Sequence, residues 1–508
     1  MRSTFQGLET ARRGMFTQQT ALQVTGHNIS NANTPGYTRQ RVNFTQTEPY
    51  PAAAMNRPNI PGQMGTGVQA GSIQRVREGF LDTQFREENN KFGYWNTRSE
   101  ALAKMEDIMN EPSDNGLSKT LDRFWQSLQD LSVHPEDDGA RSVVRQRGEA
   151  VSDTFNYLSN SLNAIRNDHK SQIDLTVKEI NSLATQINNI NSQINEIEPH
   201  GYLPNDLYDE RDNLVDRLSQ LVNIKVTPVK SGGNAIAISE GKYTIDIIDK
   251  NGASLGKLVD GTALTSNELQ TVESNGTVSG YQLNDGATAT TLSSTEFRGK
   301  LQGLTDAYNT VFPEMLANLD QLAYDFATSF NSVHNAGWTM DDVEVGLKGN
   351  GIDFFAVKDA SGNDVKIDAN QLTGLAGKLK ISNPIKNDLD KIAAASPKGT
   401  DTVAYSGDGS NALALANVKD TTQLKSKYES MIGGMAVSSQ ESVRLSNNSL
   451  MLTDTVDKRR QSVSGVSLDE EMTNMIQFQH AYNASARNIT VIDEMLDKII
   501  NGMGVGGR

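Results

Sequence analysis

Gly26-His27-Asn28-Ile29-Ser30-Asn31-Ala32-Asn33-Thr34-Pro35-Gly36-Tyr37-Thr38-Arg39-Gln40 closes the first amphipathic segment of the chain. Upstream of it Leu8, Met15, Leu22 and Ile29 recur every seven residues, with Phe5 and Ala11 beside them, so one apolar stripe runs into this stretch. The stripe stops there for local reasons. Asn, Ser and Thr side chains compete for backbone hydrogen bonds, Pro35 pushes Thr34 out of the helical region, and Gly36 tolerates a positive φ. These residues predict a helix that ends between Asn31 and Thr34 in a tight turn.

Working outward, 508 residues are too many for one core and imply several domains. With 36% hydrophobic and 6% aromatic residues, an elongated molecule rich in surface is expected rather than one large globule. The net charge of -15, with no basic run longer than Lys458-Arg459-Arg460, speaks against nucleic acid as a partner. The absence of cysteine excludes disulfides, thiolate metal sites and thiol nucleophiles. No stretch reads as a cleaved secretory signal, and no run of about 18 apolar residues predicts membrane insertion. On composition alone the chain would be placed in the cytoplasm.

Residues 38–78 read as extended and irregular. Val42-Asn43-Phe44-Thr45 alternates, Pro49, Pro51, Pro58 and Pro61 break helices, and Gly65-Thr66-Gly67-Val68 lacks the third glycine of a dinucleotide fingerprint. Helical periodicity returns at Arg77 and runs to Ile108, pauses at Pro112, Asp114 and Gly116, and resumes from Leu117 to Leu131, with Trp95 and Trp125 read as core. The longest pattern follows. Val151, Phe155, Leu158, Leu162 and Ile165 keep 3-4 spacing, slip at His169, and continue through Ile173, Ile180, Leu183, Ile187, Ile190, Ile194 and Ile197, predicting one helix from about Ala140 to Glu196. Its far face carries Gln186, Asn188, Asn189, Asn191 and Asn195, expected to be solvated or to meet polar neighbours in an assembly. His169 has no second ligand at metal spacing and reads as a polar residue tolerated in the seam.

After Pro199 to Asn205 turn the chain, Asp206 to Leu221 form a helix whose Asp209, Glu210 and Asp212 interleave with Arg211 and Arg217. These carboxylates read as distributed around the helix rather than gathered on one face. Between 224 and 295, short alternating runs separated by Gly232-Gly233, Lys250-Asn251-Gly252, Asn275-Gly276 and Asp285-Gly286 predict antiparallel hairpins. Asp249-Lys250-Asn251-Gly252 and Asp359 to Asp364 lack the glycine and closing glutamate of a calcium loop and read as hairpin tips. Helix is expected again from Phe297 to His334, mixed structure with strands at Phe354 to Val357 and Lys378 to Ile381, and a last helical run from Asn411.

The terminal helix opens with Ser467 and Glu470 at capping-box spacing. Its seam is Leu468, Met472, Met475, Tyr482, Ala486, Ile489, Leu496, Ile500 and Met503, widened by Phe478, Ile492, Met495 and Ile499. The fold class that follows is mainly α with inserted β-domains: an elongated coiled-coil rod built from both chain ends, with antiparallel β-structure outside. The expected divisions are 1–40, terminal helix and turn; 41–76, extended linker; 77–222, first half of the rod; 223–296, inserted β-domain; 297–337, returning helix; 338–410, second mixed segment; 411–466, last part of the rod; and 467–508, C-terminal helix.

No catalytic, metal-binding or cofactor-binding residues are expected. His27, His134, His169, His200, His334 and His480 are scattered, and no His-Glu-x-x-His, Gly-x-Ser-x-Gly or P-loop occurs. The terminal stripes instead predict assembly. Each apolar side chain contributes about 1.5–3 kcal/mol when buried, and neither terminal helix has an evident internal core for both of its rows. They are expected to pair with each other inside one subunit, to pack against neighbours in a polymer, or both, the wide terminal stripe favouring both, and to be poorly ordered in a free monomer and fold on assembly.

Asn28-Ile29-Ser30-Asn31-Ala32-Asn33-Thr34-Pro35-Gly36-Tyr37 resembles the N-terminal signature of bacterial flagellar rod, hook and hook-associated proteins. Gly65-Thr66-Gly67-Val68 before a strand resembles a usual feature of the segment after that signature, and Asp209-Glu210-Arg211-Asp212-Asn213-Leu214 resembles both flagellin and the hook-associated branch, while Phe330-Asn331 with His334 and Gly337, and Asn411-Ala412-Leu413-Ala414-Leu415-Ala416-Asn417, narrow the resemblance to that branch. That resemblance implies a structural subunit between hook and filament, exported uncleaved through the type III channel. The implied partners are the hook protein, a second hook-associated protein on the filament side, copies of itself in a ring, and an export chaperone at about residues 467–502. N-terminal assembly contacts would involve Leu8, Met15, Leu22, Ile29, Asn28, Asn31, Asn33, Pro35, Gly36 and Tyr37. C-terminal assembly or chaperone contacts would involve Leu468, Met472, Met475, Phe478, Tyr482, Ile489, Ile492, Leu496 and Ile499. A hook or distal rod protein and a secreted coiled-coil adhesin are the alternatives.

Overall fold

The structure, a computed structural model, describes all residues except 1–4, 52, 56–61, 110–112, 114–115, 285–288, 360–361, 370–371, 398–401 and 503–508. Pro58, Pro61, Pro112, Asp114, the Asp285-Gly286 turn and Met503 therefore lie outside the described residues. The first half of the chain is α1 (Phe5–Ser30), the hairpin β1 (Gln40–Gln46) and β2 (Val68–Arg75), then α2 (Gly79–Met109), α3 (Leu117–Val133), α4 (Asp138–Ile197) and α5 (Asn205–Leu221). The stretch expected to be a linker is thus a β-hairpin. Its backbone pairs from Gln40 opposite Arg75 to Gln46 opposite Val68.

At 60 residues α4 spans about 90 Å. Asp137 caps it, accepting from the Gly139 amide at 2.9 Å, and its 3-4 apolar row serves two cores in succession. In the first, Val144 to Leu162 pack against α3, α7 (Phe312–Ala336) and the small sheet β11-β10-β12. These strands are β10 (Phe355–Lys358), β11 (Asp364–Val365) and β12 (Leu379–Ile381). Phe124, Trp125, Phe155, Phe326, Phe330, Phe354 and Phe355 form its aromatic centre. Trp125 is buried there, whereas Trp95 is only half-buried, edge-on to Tyr94.

In the second core, Ile173 to Ile194 pack against α5, α6 (Lys300–Asp306) and two antiparallel sheets. The first sheet is ordered β3-β4-β5-β6 (Ile224–Val229, Lys242–Ile248, Ser254–Asp260, Thr265–Ser266). The second is ordered β7-β8-β9 (Glu268–Ser274, Thr277–Asn284, Ala289–Ser293). The single helix expected from Phe297 to His334 is instead α6, a π-turn at Ala307–Val311, and α7. Pro313 has no amide to offer the Asn309 carbonyl, so the helix loosens just before it.

Several asparagines of the helices bond to the sheets rather than to solvent. Asn191 on α4 donates to the Tyr243 carbonyl at 2.9 Å and accepts from the Tyr243 amide at 3.0 Å. Tyr243 lies on β4 before β5 begins to pair at Ile245, so the side-chain amide occupies the place of a missing strand. Three more pairs repeat this: Asn181 with Leu269, Asn309 with Val278 and Asn331 with Phe355. Asn188 donates to Leu264, and Asn195 accepts from Lys242. The expectation of a solvated far face is corrected accordingly: the sheets cover it, and only Gln186 and Asn189 of the five are exposed.

After α8 (Met340–Val345) and α9 (Asn383–Asn387), the last run is broken into α10 (Ser410–Ala416), α11 (Val418–Thr421) and α12 (Leu424–Ser464). α12 packs antiparallel along α2, with Arg460 over the Phe85 ring at one end and Met435 near Met105 at the other. A three-residue connection then leads to α13 (Leu468–Gly502), which lies along α1. The expected Ser467–Glu470 capping box is replaced by a longer-range contact, because the Glu470 carboxylate meets Arg39 at 2.6 Å.

Candidate functional site at the joint of the terminal helices

Asn28, in the last turn of α1, is buried and makes four hydrogen bonds through its amide. It donates to the Gln40 carbonyl (2.8 Å) and the Glu471 carboxylate (3.0 Å), and accepts from the Gln40 amide (3.0 Å) and the Tyr37 hydroxyl (2.8 Å). An amide has two donors and one oxygen with two lone pairs, so its capacity is filled. The Tyr37 oxygen also meets His27 Nδ1 at 3.0 Å. Burial, with Asp206, Asp209 and Glu471 nearby, pushes the Tyr37 hydroxyl well above its usual range. It remains a donor.

The turn itself is closed by Asn31, whose amide donates to the His27 carbonyl and accepts from Thr34 Oγ1. Gly36 has φ +78°, and a Cβ there would lie 2.0 Å from the Asn213 amide of α5. The dihedral favours glycine, and any larger residue would also displace the Asn213 side chain. Asn33 and Pro35 are exposed. They border a cleft of 520 Å³ walled on its other side by Asn213, Arg460 and the connection from α12 to α13.

Behind the turn stands a buried charge network. Asp209, Asp212 and Asp216 follow one another at 3-4 spacing on a single face of α5. This corrects the expectation that its acids are spread around the helix. Asp212 receives Arg75 (3.0 Å), Arg77 (3.2 Å) and Arg86 (3.1 Å), Asp209 receives Arg75 (2.6 Å), and Asp216 receives Arg86 (2.7 Å) and Arg460 (2.5 Å). Burial opposes the charge on Asp212, but Arg77, Arg75, Arg86 and Arg211 around it hold its carboxyl well below the usual carboxylate range. The arginines come from β2 (Arg75), the connection after it (Arg77), α2 (Arg86) and the end of α12 (Arg460). One acidic helix face thus fixes the register of three segments remote in sequence.

From this base the terminal helices run antiparallel. Gly7 faces Ile492, Gly14 faces Ser485 and Asn28 faces Glu471, so each step of seven up α1 matches a step of seven down α13. The small residues permit close approach. A Cβ on Gly7 or Gly14 would come within 3.2 or 3.1 Å of the opposite side chain. Arg39 secures the base of the pair, bonding Glu471 at 2.8 Å and, through its amide, the Ser464 carbonyl at 2.8 Å, while Phe44 sits edge-on to Phe478.

The predicted N-terminal stripe Leu8, Met15, Leu22 and Ile29 is only half-buried, and the most buried positions of α1 are Ala11, Thr17, Ala21, Thr25 and Asn28. On α13, Met475, Phe478, Tyr482, Ile489, Ile492 and Leu496 are half-buried, whereas Leu468, Met472 and Ile499 are exposed. Phe5, Phe16, Ile476, Val491, Met495 and Ile500 are also exposed, Ile500 at 72% and Phe5 at 62%. The pair therefore carries a wide apolar surface outward. Arg39, Arg75, Arg77, Arg86, Glu471 and Arg460 escaped the sequence reading; the one available signal was the 3-4 spacing of Asp209, Asp212 and Asp216. Among the described residues no group of three or more His, Cys, Asp or Glu side chains could hold a metal ion. No helix among them is long and apolar enough to cross a membrane.

Three family models match the chain. Residues 102–355 match the flagellar hook-associated protein FlgK helical domain, residues 8–38 the flagella basal body rod protein, and residues 459–502 the C-terminal part of flagellar basal body rod FlgEFG proteins. The chain is 45% identical to flagellar hook-associated protein 1 of Bacillus subtilis (strain 168) over 526 aligned positions covering 100% of both chains. It is 26% identical to that of Salmonella typhimurium, covering 97% of this chain and 98% of the relative. Its fold is similar to the flagellar hook junction protein FlgK from Burkholderia pseudomallei, with a TM-score of 0.59, 16% identity, and coverage of 76% of this chain and 100% of that one.

Proposed function

The chain belongs to the flagellar hook-associated protein 1 family, and we infer that it is the structural subunit joining the flagellar hook to the filament. Full-length similarity at 45% identity carries this reading. The chain is a flagellar component, and its work is mechanical rather than chemical. In this reading it is not an enzyme: it turns an exported polypeptide into one layer of a tube.

The exposed apolar surface of α1 and α13 supports assembly through residues 1–40 and 467–502 into an inner helical layer, with helical residues 77–222 and 297–466 around it and the β-segments outermost. Neighbours in that layer would be copies of this chain in a ring, hook protein below, and a second hook-associated protein above. Before export, the exposed Leu468, Met472 and Ile499, with the half-buried Met475, Ile489 and Leu496 beside them, call for a chaperone of adaptable surface. Secretion through the flagellar export channel completes the reading. The hook or distal rod alternative is disfavoured because residues 102–355 match the hook-associated helical domain.

Deletion of the gene, followed by electron microscopy and an assay of the medium for flagellin, tests the proposal. Complete hooks without filaments, with monomeric flagellin in the medium, are expected. Missing hooks would move the protein to the rod or hook, and normal filaments would remove it from the axial structure.

A further inference from the structure

Two cores share α4, and they meet at His169. The first core ends on α4 at Leu162 and the second begins at Ile173; between them His169 is the one buried residue of the helix. Neither ring nitrogen has a hydrogen-bond partner. The ring packs on Phe312 at 5.3 Å between centroids, directly after the π-turn Ala307–Val311. That turn also straddles the boundary, since Ala307 and Phe312 belong to the first core and Tyr308 to the second.

The same turn anchors the tip of the β7–β8 hairpin. Arg166 lies over the Tyr308 ring, donates to the Tyr308 carbonyl at 3.0 Å and reaches the Gly276 carbonyl at 2.8 Å. The Tyr308 hydroxyl donates to Gly276 as well, and Asn309 pairs with Val278. A buried imidazole without partners gives no net bonding to the folded state. Its position at a core boundary, against an irregular turn that holds an outer hairpin, gives it a different capacity.

We propose that His169 and the facing π-turn form a proton-sensitive joint: protonation of the imidazole loosens the seam between the two cores and frees the β7–β8 tip to move relative to α4. An imidazolium is a double donor, and the seam offers it no acceptor. The charges that bear on it are Lys104 from α2, which opposes a second cation, and Asp168 on α4, which favours one. Arg166 is held by Tyr308 and Gly276, Lys170 by Glu273 at 2.8 Å, and Asp174 accepts from Thr271.

Burial first, and Lys104 second, lower His169 from 6.5 to about 4 in the closed seam. An opened seam protonates near the ordinary value, so the open form binds the extra proton between these limits. The closed form is fully favoured above about pH 6.5 and loses ground as the pH falls toward 4, by about tenfold in the open-to-closed ratio per pH unit.

The test is hydrogen exchange on the full chain and on His169→Leu and His169→Gln, corrected for intrinsic exchange, across that range. The native chain should lose protection in 160–175 and 300–316 as the pH falls, while both variants hold it and α3 and α5 behave alike in all three. His334 is present in every protein, so its titration cancels. An equal acid response in native and variant chains would overturn the joint, as would a difference spread evenly over the molecule; the Gln variant decides if the Leu variant does not fold.

Discussion

Asn28 and Glu471 lie 443 positions apart and share a hydrogen bond of 3.0 Å in a site from which water is excluded. The bond ties the last turn of the first helix to the first turn of the last, at the point where both meet the charge network of α5. An Asn28→Asp substitution keeps the shape but removes both donors and sets a second carboxylate against Glu471. Loss of about 3 kcal/mol from the pairing of α1 with α13 is expected. Hydrogen exchange should show faster opening of residues 8–30 and 471–496 with the aromatic core unchanged. Unchanged protection there would mean that the apolar contacts alone hold the pair.

The charge network of α5 and a surface pair between α5 and α4 should respond very differently. Asp212 is buried among Arg75, Arg77 and Arg86, so Asp212→Asn leaves three guanidinium groups short of one charge and should destabilise the body by about 3–5 kcal/mol. Arg217 and Glu179 meet at 3.5 Å in solvent, and Glu179→Gln should change stability by less than about 0.5 kcal/mol. Denaturant unfolding of the two variants compares them. Equal midpoints would show that the network is solvated rather than closed.

What could be read from the chain follows from how local each cause is. The end of α1 is dictated by Asn31, Pro35 and Gly36 within a few residues, and the course of α4 by an isoleucine row on one helix, so both were legible, as was a mainly helical fold with inserted antiparallel sheets. The Asp209, Asp212 and Asp216 face was not, because its arginines come from positions 75, 77, 86 and 460. Nor was the role of Asn191 legible, since it depends on where β5 stops pairing with β4. The β1–β2 hairpin was hidden by a segment rich in proline and glycine, which reads as a linker. The outward direction of Met472 and Ile499 is likewise a property of the partner helix: α1 is too narrow to cover both rows of α13.

Gly14 separates helix propensity from packing. Alanine in place of a helical glycine stabilises by about 0.5–1 kcal/mol, and a Cβ at Gly14 would meet only the mobile Ser485 hydroxyl at 3.1 Å. Gly14→Ala should therefore be close to neutral in filament formation and in helix pairing. Gly14→Leu has the same propensity gain but needs room where the helices touch, and should part α1 from α13 and abolish motility while the melting of the body is preserved. Motile cells carrying Gly14→Leu would show that the two helices do not pair in this register in the assembled state.

Asn191 tests whether side-chain amides serve as strand edges. It is fully buried, and its two bonds are those a neighbouring strand would make to Tyr243. Replacement by leucine keeps the volume and adds apolar contact with the second core, which on burial alone would favour the variant by about 1–2 kcal/mol. Against this, the Tyr243 amide and carbonyl both lose their partner, at about 1–3 kcal/mol for each unsatisfied group. The second effect is larger, so Asn191→Leu should be less stable by about 2–3 kcal/mol, and Asn191→Ala, which also leaves a cavity, should be lower still. Exchange of the Tyr243 amide itself should rise in both variants. A stable Asn191→Leu chain with a protected Tyr243 amide would mean that β4 finds another acceptor, and that the asparagine completes the sheet by convenience rather than by need.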